Sequence, residues 1–406
     1  MNPPFRRRVL YLPGYDPIPP RRYRELYHRE GRDQAAISQY SLSFGPRRDR
    51  TGFGWGVRGD FSGRRTESEF EVLLWADLVQ RSMGQSVFAT YGQLLRTAWI
   101  YIGSGALFSL MRLRRGPVLA ALYPVVILLL QLLAAITVAG VGAATVGTIA
   151  GRLMPYGYWL GLPVFLGVTW AALAFWRRID GKLFAYYLMH DYAFTADLRG
   201  SYPDGLNQRI SWFATRINQV LDEDWDEVLI VGHSSGAYLA VSVLAEVLRN
   251  RPEDRDGPKL ALLTLGQVVP MAAFLPRADR LRRDLHEVSA SKALCWVDVS
   301  APGDACSFGL CDPVAVVGVE PKDRQGPLVL SAAFRQSLSP QKQRALRGHW
   351  FRLHFQYLCA FDRPRDYDYF AITAGPDSLE DRFAGRSHSP GRIARPVNRY
   401  NSMAPE

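Results

Sequence analysis

Two adjacent serines lie in the pentapeptide GHSSG, residues 232–236, between the apolar runs VLIV and AYLAVSVLAEVL. A serine hydroxyl is a weak nucleophile near neutral pH, and it needs a base, oriented by an acid, to remove its proton. Ser234, at the centre of the pattern, is the candidate nucleophile, because a buried strand, a sharp turn and a helix would expose its hydroxyl. The alternative is a tight strand–helix turn in which the serines only cap the helix.

Gly232 and Gly236 flank these serines. In such a turn a Cβ at either position would collide with a neighbouring strand or helix. On these residues the chain resembles the α/β-hydrolase superfamily of lipase-like and esterase-like serine hydrolases. The resemblance implies a mostly parallel sheet with helices on both faces, Ser234 as the nucleophile, and the amide of Ser235 as one oxyanion donor.

The superfamily takes a second oxyanion amide from the loop after an earlier strand. The segment YLPGYDP occupies that place here, and the resemblance makes the Tyr15 amide the candidate donor. Gly14 would let this backbone approach the substrate closely, whereas Pro13 stands where the superfamily often has histidine. A plain strand-ending turn is the alternative for this segment.

The acid of a triad follows the serine in the superfamily, and the histidine comes last. Asp304 lies in the loop PGDACSF after the apolar run ALCWVDVSA. Because α/β enzymes collect functional groups beyond the carboxyl ends of their strands, Asp304 is the predicted acid. Asp312, in a later turn, is the alternative acid, and a purely structural turn role for Asp304 is a further interpretation.

Three histidines follow Asp304. His354 lies in the aromatic segment FRLHFQYLCAF, which would bury and orient an imidazole, so it is the predicted base. A histidine in such a setting is otherwise often a packed core residue. His349, in a more polar place, is the alternative base, and His388 lies in the C-terminal tail.

Other histidines lie near these positions. His190 stands beside Asp191, but adjacent residues on a helix point in different directions, and the pair precedes Ser234, which is the wrong order for the superfamily. His233 lies inside the pentapeptide, where lining the pocket and packing are both consistent with the pattern.

The elements that must position these residues alternate along the chain. The strands around residues 227–231, 259–266 and 293–301 are almost continuously apolar, and helical patterns separate them, which is typical of a parallel sheet covered on both faces. An early strand, Arg8–Leu12, leads through a turn to a helix that begins near Pro20, and it cannot form a domain alone.

We therefore predict one α/β domain that is built from residues 1–90 and 184–375, with residues 376–406 as a polar, loosely ordered tail. The part in between, residues 94–183, is predicted to be a membrane insertion.

Two charge-free runs define this insertion. Residues 118–150 carry no charged side chain, and residues 157–176 form a second apolar run, so each can cross a bilayer. We predict transmembrane helices over about 119–142 and 157–176. Residues 94–111 are predicted to lie on the membrane surface as an interfacial helix, with a third crossing as the alternative.

Positive charge flanks the two spans on one side. The sequences RLRR and RRIDGK border the hairpin, whereas the connection between the spans carries only Arg152. The positive-inside rule then places both soluble parts in the cytoplasm, in a multi-pass protein of the bacterial inner-membrane type. The net charge of +11 suits anionic lipid headgroups, and no nucleic-acid-binding motif accompanies it.

The four cysteines show no paired spacing of the kind that zinc sites use, which predicts free thiols in a reducing compartment. No cofactor and no metal are predicted. The sequence therefore favours a membrane-anchored serine hydrolase that cleaves an acyl ester or thioester, of a lipid or another acyl compound, through an acyl-enzyme on Ser234. An acyltransferase with the same triad and a non-catalytic binding protein on the same fold are the alternatives, and the oligomeric state stays open.

Overall fold

A computed structural model describes residues 3–49, 51–84, 86–251 and 257–404 of the chain. Its centre is an eight-stranded sheet with the strand order β2-β3-β4-β1-β5-β6-β7-β8. The strands are β1 Phe5–Leu12, β2 Ser41–Gly45, β3 Phe53–Phe61, β4 Arg64–Val72, β5 Glu227–His233, β6 Lys259–Leu265, β7 Leu294–Ser300 and β8 Leu328–Ser331.

The helices of the described residues precede, connect and cover these strands. They are α1 Arg21–Ser38, α2 Ala76–Met83, α3 Val87–Gly103, α4 Ala106–Leu113, α5 Arg115–Leu153, α6 Gly161–Arg178, α7 Ala185–Ala196, α8 Asp204–Leu221, α9 Ser235–Arg249, α10 Val269–Ala273, α11 Asp279–Ala290, α12 Phe334–Ser337, α13 Pro340–Leu346, α14 Trp350–His354, α15 Tyr369–Ala374 and α16 Leu379–Phe383.

The sheet is mostly parallel, as the apolar strand runs predict. β1 pairs in parallel with both β4 and β5, and β6, β7 and β8 continue in parallel on the far side of β5. The predicted α/β architecture is confirmed at this level. The antiparallel strands β2, β3 and β4 form the other edge. They were not predicted, because glycines and charged residues interrupt the apolar alternation of this segment.

Both faces of the sheet are buried. Along β1, Leu10 and Leu12 join one apolar cluster, which includes residues of α8 and α9, whereas Val9 and Tyr11 join a second cluster, which includes residues of α1 and α15. This alternation follows from the two-residue period of a strand. Every residue of β5 is buried, so the strand that precedes Ser234 lies in the centre of the core.

Two helices are long and apolar enough to cross a membrane. α5 has 39 residues with a mean hydropathy of 2.5 in its most apolar window, and the helical segment Gly157–Arg178 reaches 1.6. The predicted spans lie inside these helices, and α5 extends beyond its predicted span at both ends. The turn between them is tight, because a Cβ on Gly157 would stand 2.1 Å from the carbonyl oxygen of Ala150.

The prediction of one interfacial helix over residues 94–111 is wrong in its geometry. α3 and α4 meet at an angle of 72° across a short break. Gly105 adopts a left-handed conformation there, with φ 77°, which turns the chain. Ile100 and Tyr101 are buried in the core of the α/β domain, so one face of this segment packs on that domain, while Trp99 is exposed.

The prediction of a loosely ordered tail is also wrong for the described residues. Ser378 caps α16, and Ile393 forms a parallel bridge with Cys311. Further on, the Tyr400 hydroxyl donates a hydrogen bond of 3.0 Å to the carbonyl of Ser104. These long-range contacts are invisible to composition, which had suggested disorder.

Candidate active site

Ser234 lies between β5 and α9 with φ 57° and ψ −122°. A residue with a side chain rarely adopts a positive φ, and such strain persists where the surrounding structure imposes it. Here the Ser234 amide donates a hydrogen bond of 3.0 Å to the carbonyl of Leu265, at the end of the neighbouring strand β6. The strained strand–turn–helix geometry is the one that a nucleophilic serine requires.

The two flanking glycines make this turn possible. A Cβ on Gly232 would lie 2.6 Å from the carbonyl oxygen of Gly236 and 2.8 Å from Cα of Ala237. A Cβ on Gly236 would lie 2.2 Å from the carbonyl oxygen of Leu12. The turn is thus packed against both its own helix and the carboxyl end of β1.

The loop after β1 passes directly beside the serine. A Cβ on Gly14 would stand 3.0 Å from Cβ and 3.5 Å from Oγ of Ser234. The Tyr15 amide donates a hydrogen bond of 3.1 Å to Oγ of Ser235, so the donor predicted for an oxyanion is engaged with a side chain in this structure. The Ser235 amide is the first N–H of α9 and has no acceptor within the helix.

Asp304 and His354 meet although 50 residues separate them in the sequence. Nδ1 of His354 lies 2.8 Å from Oδ2 of Asp304, and both residues are buried. Because an ionised carboxylate only accepts hydrogen bonds, Nδ1 carries the hydrogen, which leaves Nε2 free to accept a proton.

Two more donors hold the Asp304 carboxylate. The Tyr357 hydroxyl donates to Oδ2 at 3.0 Å, and the Cys306 amide donates to Oδ1 at 2.9 Å. Burial by itself would raise the pKa of Asp304, but the nearby His354 and the hydrogen bonds from His354, Ser307 and the Cys306 amide outweigh it, and the pKa is lowered. Asp304 is therefore ionised near neutral pH and able to stabilise an imidazolium. Tyr357 has no sequence signal beyond its place in the aromatic segment.

The imidazole of His354 lies beside the serine turn. A Cβ on Gly266 would stand 3.2 Å from Cε1 of His354, and Gly266 directly follows Leu265, which binds the Ser234 amide. Ser234 and His354 line the same cavity. Among the described residues no hydrogen bond joins Ser234 Oγ to His354, and in unliganded enzymes this contact often forms only when substrate is bound.

The alternative candidates have other surroundings. His349 lines the same cavity, but no carboxylate of the described chain pairs with its ring. Nδ1 of His388 accepts a hydrogen bond from the Val329 amide. Asp312 forms ion pairs with Arg324 and Arg392. The structure therefore pairs His354 with Asp304. Among the described residues, His349, His388 and Asp312 are not paired with another candidate catalytic residue.

His233 positions the backbone of the candidate base. Its Nε2 lies 3.1 Å from the carbonyl oxygen of His354, and the two rings lie 4.8 Å apart. Burial, followed by the charge of His354, lowers the pKa of His233 to about 3. The ring is therefore neutral, and Nε2 donates its hydrogen to this carbonyl.

The cavity at the serine has a volume of about 1360 Å³ and extends from the strand ends to the start of α5. Pro117, Ala120 and Tyr123 of α5 form part of its wall. At the same place Arg114 Nε donates a hydrogen bond of 3.0 Å to the carbonyl of Gly309, in the segment that follows Asp304. The first turns of α5 thus pack against the domain that carries the site.

The cysteines in this structure are free, and Cys306 lines the cavity. Burial raises the pKa of the Cys306 thiol well above its usual value, so it stays protonated. Across the part of the chain that the structure describes, no cluster of His, Cys, Asp and Glu is placed to hold a metal ion.

No protein-family model matches the chain, and neither a curated protein nor a solved structure matches it. A functional conclusion therefore depends on the chemistry of the cavity itself.

Proposed function

We propose that this chain is a membrane-anchored serine hydrolase of the α/β-hydrolase type, which cleaves an acyl ester or thioester. The observation that carries the proposal is the strained backbone of Ser234, together with the buried Asp304–His354 pair that lines the same cavity. A structural turn has no need of an imidazole that a buried carboxylate orients beside it.

In the proposed reaction, Oγ of Ser234 attacks the carbonyl carbon of the ester while Nε2 of His354 accepts the hydroxyl proton. The negative charge moves to the carbonyl oxygen, which the Ser235 amide stabilises, and Asp304 stabilises the imidazolium. The carbon–oxygen bond to the alcohol then breaks, and the leaving alcohol takes the proton from Nε2. Water attacks the acyl-enzyme by the same route, releasing the carboxylic acid and restoring the serine.

The Tyr15 amide joins this scheme as a second oxyanion donor only after an exchange of partners. Its hydrogen bond to Ser235 Oγ must give way to one with the substrate oxygen. The nearness of Gly14 to Ser234 Oγ supports this role, because the loop needs to move little.

The substrate class that fits best is an acyl ester from the membrane. The wall that Pro117, Ala120 and Tyr123 contribute connects the cavity with the start of an apolar helix that is long enough to span a bilayer. The flanking charges predict that both soluble segments lie on the cytoplasmic side. The ester would then come from the inner leaflet.

Labelling with a fluorophosphonate probe tests the proposal, because the probe reacts with activated serines. We expect the full chain in detergent to be labelled, and mass spectrometry to locate the adduct on Ser234. Ser234→Ala should abolish labelling, whereas Ser211→Ala, at an exposed serine of α8, should leave it unchanged. Folded wild-type protein that stays unlabelled would refute the hydrolase proposal and favour a non-catalytic binding protein.

A further inference from the structure

Asp191 on α7 lines the cavity that contains Ser234 and His354. Throughout the described ranges, no hydrogen-bond donor, lysine or arginine pairs with its carboxylate. Asp191 is partly exposed to this cavity, and an unpaired carboxylate that lines a cavity is a candidate binding group.

Two other aspartates of the same cavity show the contrast. Asp180 accepts hydrogen bonds from the amides of Tyr186 and Tyr187 at the start of α7, at 3.0 and 3.1 Å. Asp16 accepts them from the Ile18 amide and the Tyr23 hydroxyl, at 2.9 and 2.6 Å. These two carboxylates stabilise the fold through their hydrogen bonds, whereas no such donor contacts Asp191 among the described residues.

In the described structure no lysine or arginine pairs with the charge of Asp191. Burial raises the pKa of Asp191 to about 7, and the interaction with the nearby imidazole of His354 opposes this rise. The basic side chains of the cavity come from other elements, and none of them pairs with Asp191 in the described structure; they are Arg22, Arg29, Lys182, Lys342 and Arg352. A bound cation would supply the missing partner and hold the carboxylate in its ionised form.

Aromatic residues line the same cavity near this carboxylate. Four tyrosines line the cavity with it, namely Tyr15, Tyr187, Tyr192 and Tyr238. Burial raises the pKa of each phenol, and the nearby Asp191 raises it further, so all four stay neutral. A carboxylate among aromatic rings is the chemistry that binds alkylated ammonium groups, because both attract a cation without requiring a hydrogen-bond donor.

We propose that Asp191 and these four tyrosines bind a cationic amine, so that Ser234 acts on an ester whose alcohol or acyl part carries such a group. The part that concerns turnover rests on the proposed hydrolase function. The binding of the cation does not, and the two can be tested separately.

Binding is measured first, with the full chain in a neutral detergent and with Ser234→Ala to prevent turnover. Choline is compared with its uncharged tert-butyl isostere, in which carbon replaces nitrogen, by isothermal titration calorimetry. We expect choline to bind roughly tenfold tighter than the isostere, and Asp191→Asn to remove this difference. Equal binding of the two compounds, or an undiminished preference in Asp191→Asn, would overturn the proposal.

Glu25→Gln is the matched control. Glu25 also lines the cavity, but it is exposed and forms an ion pair with Arg21. This variant removes the same charge as Asp191→Asn and should keep the preference for choline. Loss of the preference in both variants would assign it to the general charge of the cavity and contradict a specific site. Asp191→Asn should fold, because it removes an unpaired charge.

Turnover is measured second, with a choline ester and the isosteric neutral ester of the same acyl chain. Wild type should show a kcat/KM about tenfold higher for the choline ester than for the neutral ester, and Asp191→Asn should bring the ratio of these two values close to one. Hydrolysis of neither ester, with choline binding intact, would remove the hydrolase proposal and leave the cation site standing. An unchanged ratio of the two kcat/KM values in Asp191→Asn would refute a role in specificity.

Discussion

Two regions of this molecule hold groups of charged side chains, and among the described residues the charges are paired in one region but not all of them are paired in the other. The first lies where β1 and β4 meet α8 and is the ionic cluster of Arg8, Arg47, Glu69, Glu71 and Arg216. In this cluster Glu69 pairs with Arg8 at 3.0 Å, and Glu71 pairs with Arg47 and Arg216 at 3.0 and 2.9 Å. The second region is the cavity at Ser234, where the Asp191 carboxylate has no such partner in the described structure.

The difference separates stability from chemistry. In the ionic cluster each carboxylate contacts a guanidinium, so the charges join two strands and a helix. In the cavity the backbone of Ser234 is strained, which costs free energy of folding, and among the described residues no hydrogen-bond donor pairs with the Asp191 carboxylate. Such costs are found where a ligand or a reaction makes use of them.

The largest effect that would test this contrast is on the candidate acid. Asp304→Asn should lower the rate of fluorophosphonate labelling by about 10³–10⁴-fold, because an amide at this position favours the wrong tautomer of His354. Labelling kinetics would be followed alongside the thermal midpoint. Asp312→Asn is the control, since it breaks the ion pairs with Arg324 and Arg392 and should cost stability while the folded protein keeps its labelling rate. The reverse pattern would make Asp312 the acid.

The ionic cluster should show the opposite behaviour. Glu71→Gln leaves three arginines without their shared charge and should lower the free energy of unfolding by about 3 kcal/mol. Urea unfolding in detergent, followed by tryptophan fluorescence, measures this loss. Glu67→Gln, which affects a more exposed pair with Arg48, should cost less than about 1 kcal/mol. The contrast between the regions fails if Glu71→Gln abolishes labelling of protein that is still folded.

A buried acid outside both regions provides a pH test. Asp298 in β7 accepts a hydrogen bond of 2.6 Å from the Thr264 hydroxyl, and burial raises its pKa to about 8. The folded state thus keeps a proton that the unfolded state, with the ordinary aspartate pKa of 3.8, releases. The free energy of unfolding of the protein should therefore fall as the pH rises between about 4 and about 8, by roughly 1.4 kcal/mol for each pH unit, because of Asp298.

Asp298→Asn should remove this dependence, because an amide resembles the protonated acid and does not titrate. Chemical unfolding of both proteins at pH 5, 6, 7 and 8 compares the slopes, and the variant should gain on wild type as pH increases. A constant difference between the two proteins over this range would show that Asp298 does not titrate there.

The smallest effect concerns the support of the acid. Tyr357→Phe removes the hydroxyl that donates to Asp304 Oδ2. It should lower the labelling rate by roughly tenfold while Ser234 stays reactive, since one hydrogen bond to a charged group is lost. Phe334, which packs on Tyr357, provides a control through Phe334→Leu, because that change alters packing without removing the hydroxyl. Equal rates in wild type and Tyr357→Phe would show that the hydroxyl only supports the fold.

Much of the architecture was predictable because its causes are local. Continuous apolar runs mark strands that are buried on both faces, and the glycines of the pentapeptide mark a turn that has no room for a Cβ. The failures involve contacts that are distant in sequence. Residues 94–111 bend at Gly105 and pack on the core, and the polar tail is held by the bridge between Ile393 and Cys311.

The sequence by itself determined the strand–serine–helix turn at Ser234 and the two apolar spans, since both depend on the residue types within one short stretch. Only the tertiary structure decided which histidine meets Asp304 and which carboxylate is left without a partner. The physical reason is the sheet, whose parallel strands β5, β7 and β8 end at one edge and bring together loops that are far apart along the chain. The nearness of His354 to the serine turn follows from that packing. So does the position of Asp191, which lines the same cavity without a hydrogen-bond donor among the described residues.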